Sequence, residues 1–142
     1  MTEREAQDFV DRFAAAWASR NSDAFLALWH PDGRLHYPFA NRILKGSEVG
    51  MLNDLINANA PHLTWALIGW WALIGEKPRD NVIVIEWESS NRYGERTLRW
   101  RGVDKLTLVD GRIVEEVVYT DTAPLHAMRQ GRTFDALIQL PN

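Results

Sequence analysis

Residues 100–121, WRGVDKLTLVDGRIVEEVVYTD, decide the reading of this chain. Asp110-Gly111 is a two-residue turn signal between two runs of alternating side chains, so the stretch is expected to be a β-hairpin. Alternate positions on its first strand are Leu98, Trp100, Gly102, Asp104, Leu106 and Leu108, and the intervening set is Thr97, Arg99, Arg101, Val103, Lys105 and Thr107. One face is polar and basic; the other is apolar with one acid in it. A buried carboxylate without a cationic partner is costly, and tends to stay protonated or to do chemistry. Asp104 is therefore the first candidate catalytic residue.

The hairpin register decides what Asp104 meets. A two-residue type I′ loop pairs Val109 with Arg112, which puts Asp104 opposite Val117 and sets Glu116 against Lys105 on the outer face. A type I turn with a bulge at Gly111 pairs Leu108 with Arg112 instead, and Asp104 then faces Glu116. Two carboxyls in a closed pocket would drive one pKa up, leaving an acid and a base side by side. Both registers stay open at this point.

Upstream of the hairpin the period is strand-like from residue 62 onward. The segment 62–76 contains WALIG at 65–69 and again at 71–75, too short a period for a solenoid, and is expected to be one long strand bent at Gly69. A turn at 77–81 leads to VIVIEWESS, and a turn at 91–94 leads into the hairpin. Before Pro61 the period is helical. Residues 3–19 carry Phe9, Phe13 and Trp17 at four-residue spacing with Glu3 and Glu5 in the first turn. Asn21-Ser22 caps a second helix, AFLALW, that stops before Pro31; Asp32-Gly33 is a turn, and LHYPF is a short edge segment. A third helix over 47–59 has Val49, Leu52, Leu55 and Ile56 as its apolar stripe. Thr122-Ala123-Pro124 opens a short last helix, LHAMRQ, ended by Gly131. Three helices followed by a four-stranded antiparallel meander form an α+β arrangement in which a strongly curved sheet wraps the first helix as a cone with a mouth. A single domain over 1–142, with a tail from 131, is the expected organisation.

Composition bounds the partners. With 142 residues, 46% of them hydrophobic, the chain can bury a normal core. A net charge of −3 lacks the basic bias of a nucleic-acid or membrane-surface binder, so neither is an expected partner. The absence of cysteine excludes disulfides and thiolate chemistry. The polar start MTEREAQDF has no signal-like apolar core, and a cytoplasmic location is the default expectation. Seven tryptophans suit a bulky core or an aromatic pocket.

The order of elements, with FVDRFAAAWASRNSDAFLALWHPDGRLHYPF and the closing DGRIVEEVVYTD, resembles the nuclear transport factor 2-like superfamily and its SnoaL-like branch over roughly residues 5 to 130. The resemblance implies a cone-shaped pocket, but this fold hosts isomerases, cyclases, hydrolases, dehydratases and structural subunits. Residue by residue it is selective. The position of the ketosteroid isomerases' catalytic aspartate, directly before Pro-Phe, holds Tyr37, and that of their oxyanion-hole tyrosine holds Phe13. Asp104 matches their second acid if one residue of difference is allowed. For limonene epoxide hydrolase-like chemistry, Arg101 and Asp104 have the wrong spacing, and the answering last-strand position holds Val118.

The candidate catalytic residues are thus Asp104, Tyr37 and Glu116. Candidate substrate contacts are Phe13, Trp17, Trp100, His36, Tyr119 and Asp121, although Asp121 is better placed to cap the last helix and Phe13 is equally placed to be core. His36 and Tyr37 alternate, so only one points inward; the isomerase correspondence selects Tyr37. His30, His62 and His126 have no metal-ligand spacing, and neither a metal nor a cofactor is expected. The leading expectation is a cofactor-independent isomerase, cyclase or dehydratase acting by proton transfer on a small apolar cyclic metabolite. The alternative is a non-catalytic ligand-binding or dimeric assembly module. A homodimer is expected from an outer sheet face carrying Ile85 and Trp87 or their neighbours.

Overall fold

A computed structural model describes residues 1–77 and 80–131. The tail expected from 131 lies, except for Gly131 itself, outside the described residues, as do Pro78 and Arg79 of the turn at 77–81. Helices α1 (Glu3–Ser19), α2 (Ser22–Leu26) and α3 (Glu48–Asn59) precede or interrupt strands β1 (Trp29–His36) and β2 (Leu44–Lys45). Strands β3 (Thr64–Leu73), β4 (Val82–Tyr93), β5 (Arg96–Val109) and β6 (Arg112–Thr120) follow, and α4 (Ala123–Arg129) closes the described chain. The sheet order is β2-β1-β6-β5-β4-β3, antiparallel throughout except for the parallel pair β1 and β6. This is the expected α+β cone, with two more strands joined to the meander.

Helix α1 is started by a capping box in which Thr2 and Glu5 exchange hydrogen bonds. Its buried positions, Ala6, Phe9, Val10, Phe13 and Ala16, fall at helical spacing and fill the concave side of the sheet. The helix ends at Arg20, in the left-handed conformation (φ 55). From there the Arg20 guanidinium donates to the carbonyls of Asn57, Ala60, Pro61 and Leu63 at 3.0–3.2 Å, and Asn57 Nδ2 donates back to the Arg20 carbonyl. One side chain thus ties the end of α1 to the end of α3 and the entry to β3.

Several local expectations are corrected. Helix α2 stops at Leu26, and Asp32-Gly33 lies inside β1, where the pairing with β6 is irregular between Trp29 and Arg34. A Cβ on Gly33 would sit 2.8–2.9 Å from the Trp29 ring and the carbonyls of His30 and Ile113, so the chain is pressed against its neighbours there and is not a free turn. Strand β4 continues through Asn91, which is buried and opposite Leu98, and reverses only after Tyr93. Ile85 and Trp87 point into the core, 0% and 6% exposed, and do not form the outer face. On α3 the inward residues are Val49, Gly50 and Asn53, whereas Leu55 of the expected stripe is exposed.

The bend in β3 is where it was expected. Its pairing with β4 shifts between Leu67 and Gly69, leaving one extra residue, and this reverses the parity of the strand. Trp65 of the first WALIG copy therefore lies on the inner side, opposite buried Ser89, while Trp71 of the second copy is opposite Val84 and exposed.

Candidate active site

Asp110 (φ 51) and Gly111 (φ 72) form the tight turn, and Val109 pairs with Arg112 as in the first of the two registers. A bulge then falls in β6, because Leu108 pairs with Ile113 but Thr107 pairs with Glu115. Neither expected register survives it. Asp104 lies opposite Val118, and Glu116 lies opposite Leu106, one pair further along the same inward face. Lys105 points to the outside, so the Lys105–Glu116 pair does not form. A diagonal pair of this kind is within reach of long side chains across a sheet.

Both acids are buried, 3% and 2% exposed, and Asp104 Oδ1 and Glu116 Oε2 have no hydrogen-bond partner among the described residues. Burial pushes Asp104 up to about 7, opposed only by the Trp87 indole, which approaches it without reaching hydrogen-bond geometry. Burial first, and the Asp104 charge second, push Glu116 well above the carboxylate range. Tyr37 is raised by burial and by Asp104, Glu116 and Tyr93, so its phenol stays protonated and able to donate.

These groups line one cavity between the concave sheet face and the helices. Trp87 and Ser89 of β4, Trp100 and Asp104 of β5, and Glu116 and Val118 of β6 form its floor. Trp17, Phe25 and the α3 residues Leu52 and Asn53 close it from above, and Tyr37, Phe39 and Leu63 are among the residues that complete the wall. Trp17 and Trp65 stack with centroids 6.1 Å apart, and Phe39 meets Tyr37 edge-on at 5.3 Å. The atom-free space is about 640 Å³ with the mouth included, of which the centres of water-sized spheres reach about 60 Å³. One enclosed water needs on the order of 10–15 Å³ by the latter measure, so the room is for a handful of water molecules or one small flat group. The indole N–H groups of Trp17 and Trp87 also make no hydrogen bond among the described residues.

The structure brings Asp104, Glu116, Tyr37, Trp17 and Trp100 together on this cavity. The other expected contacts lie elsewhere. Phe13 is wholly buried against Phe9, Phe25 and Trp65, behind the cavity wall. His36 is on the far side of β1, where its Nε2 lies 3.3 Å from Glu115 beside Arg34. Tyr119 is 57% exposed on the outer face, moved there by the β6 bulge. Asp121 accepts the Ala123 N–H at 2.9 Å and caps α4. Asn53 and Ser89 were missed. Asn53 Oδ1 accepts from Ser22 Oγ and from Asn57 Nδ2, which fixes the amide against the cavity. Its position four residues after Val49 and three before Ile56 is the only signal in the sequence that it faces inward.

Comparison with known proteins agrees with this geometry. Residues 10–116 match the SnoaL-like domain. The chain belongs to the SnoaL-like family. Among solved structures it resembles AclR from Streptomyces galilaeus (17% identity, TM-score 0.71, 94% of this chain and 89% of that one). It also resembles a protein of ketosteroid isomerase-like fold from Catenulispora acidiphila in complex with trimethylamine (16%, 0.70, 87% and 92%). A third is TerC, co-crystallized with polyporic acid (16%, 0.68, 86% and 95%). At these identities the likeness is one of fold. No functionally curated protein matches the chain.

Proposed function

We propose that this SnoaL-like protein is a cofactor-independent enzyme that moves a proton next to a carbonyl or hydroxyl of a small, largely apolar cyclic substrate, as an isomerase, cyclase or dehydratase does. The observation that carries the reading is the pair of buried acids, Asp104 and Glu116, on the lining of an aromatic cavity, each with one oxygen that no described residue satisfies. A structural acid buried to this degree normally has hydrogen-bond partners. Asp104, raised to about 7, can accept or return a proton near neutral pH, while Glu116 stays protonated and tunes it. Tyr37, protonated and on the same cavity, donates to the oxygen on which negative charge develops.

The test is proton exchange. Wild-type protein in deuterated buffer is expected to accelerate exchange beside the carbonyl in at least one of a panel of small cyclic ketones, followed by NMR. Asp104→Asn is expected to lose at least about a hundredfold of that rate. Full activity in the Asn variant would remove Asp104 from the mechanism and favour the binding-module reading.

The homodimer is proposed on a different surface from the expected one. The bulge in β3 turns Trp71 and Leu73 outward, 58% and 67% exposed, on the outer sheet face that also carries Tyr119. Exposed aromatic and aliphatic groups of this size favour association.

A further inference from the structure

We infer that the cavity is built for an organic cation: a substrate or ligand whose apolar body carries a positively charged nitrogen beside an uncharged oxygen. This rests on the reading of the cavity as a ligand site and narrows the chemical class of what enters it.

The charge inventory is one-sided. Asp104 and Glu116 supply two acids, and among the described residues that line the cavity there is no lysine, arginine or histidine. A pocket for a carboxylate or phosphate would need at least one such group, because a buried anion cannot be left beside two carboxyls. The walls complement a cation instead. Trp17, Trp65, Trp87 and Trp100 line the space together with Phe25 and Tyr37, and aromatic faces attract cationic nitrogen most strongly when water is excluded. An inorganic ion is a poorer fit: no cluster of three ligating side chains exists among the described residues, and two carboxyls in an indole-walled pocket leave most of a metal's coordination sphere unfilled. The Trp17 indole N–H, without a partner among the described residues, calls for an acceptor, which the ligand's oxygen supplies, while the Trp87 indole is directed at Asp104.

The cation also accounts for the acids. Removing a carboxylate from water is costly, and a positive charge arriving with the ligand offsets that cost at Asp104. Among the described residues the titratable groups facing Asp104 are Glu116 from β6 and Tyr37 just after β1, with Tyr93 of β4 acting on Tyr37; α1, α2 and α3 contribute only uncharged side chains to the lining, and His126 of α4 packs on the wall residue Phe39 with ring centroids 6.5 Å apart. Binding therefore ionises Asp104 and releases its proton, and affinity rises with pH until Asp104 is already ionised in the free protein.

Choline, its uncharged isostere 3,3-dimethylbutan-1-ol and its carboxylate relative glycine betaine separate the possibilities, read by titration calorimetry and tryptophan fluorescence on the intact protein. Choline is expected to bind at least about tenfold more tightly than the isostere, with betaine weakest. Its affinity should increase from pH 5 to about pH 7 with proton release measured in buffers of different ionisation enthalpy, and fall at least about tenfold in Asp104→Asn. Equal or tighter binding of the isostere, affinity falling with pH, or no choline binding at millimolar concentration overturns the inference. The wild-type pH profile decides even if the variant fails to fold. Exchange catalysed on neutral ketones but not on aminoketones would overturn the cation while leaving the proton-transfer reading standing.

Discussion

Asp104 costs stability where it stands, and the cost has a pH signature. Its folded pKa of about 7 exceeds the ordinary 3.8, so between those values the folded protein holds a proton that the unfolded chain has lost. The Asp104 contribution to stability is accordingly fully present below about pH 4 and is lost as pH rises through about 7; Glu116 acts in the same direction. Asp104→Asn, which mimics the neutral acid, should therefore be more stable than wild type by about 1–3 kcal/mol at pH 8, with the difference vanishing near pH 4. Urea unfolding at the two pH values measures this, and a variant less stable at pH 8 would mark Asp104 as a structural residue. Gly102 acts on the same site through Trp87. A Cβ at residue 102 would overlap the Trp87 ring, so Gly102→Ala should push the indole into the cavity, costing about 1–3 kcal/mol and abolishing ligand binding. The isolated acid on an apolar strand face was legible from alternation alone. The inward turn of Glu116 was not, because it depends on one extra residue in β6 that a turn-based count places at Gly111.

At the scale of elements, the bulges set function and the sequence marks them unevenly. Gly69 signals the one in β3, since glycine in a strand interior is commonly a bend. The one in β6 falls in an unbroken RIVEEVV run with no such residue. It moves Glu116 in and Tyr119 out together, which explains why both assignments depended on the register. The third helix was misread by a fraction of a turn because Leu55 is apolar and Asn53 polar, whereas packing through Gly50 on Leu26 and the Ser22–Asn53–Asn57 hydrogen bonds orient it the other way. Arg20 holds that helix against the end of α1 through four carbonyls. Arg20→Ala is expected to lower stability by about 1–3 kcal/mol and to loosen the wall formed by Leu52, Asn53 and Ile56, raising any ligand's Kd; thermal melts and the choline titration check both parts. Unchanged melting would mean that water replaces the guanidinium without loss.

Over the whole molecule, a curved sheet closed by three helices makes a cone whose interior is aromatic and acidic, and whose outer sheet face is partly apolar. Element order, the Asp-Gly hairpin and the long amphipathic first helix carry this architecture in the sequence, so the fold was legible as a whole even where boundaries moved. The outer face was assigned to the wrong residues because alternation alone does not say which parity points inward: Ile85 and Trp87 took the inside, and Trp71 and Leu73 the outside. A homodimer through that face predicts that Trp71→Glu converts the species seen by analytical ultracentrifugation at micromolar concentration from dimer to monomer. A wild-type monomer under the same conditions would remove the dimer.

The proposed chemistry rests on the pair of buried acids, Asp104 and Glu116, and their titration is its most direct test. Carbon-13 NMR of the side-chain carboxyls should place the Asp104 midpoint near 7 and that of Glu116 well above the carboxylate range, with Asp104→Asn lowering the Glu116 midpoint. Midpoints near 4 for both would contradict it, since two ordinary carboxylates at neutral pH would be solvated groups, with no proton held in the cavity to transfer.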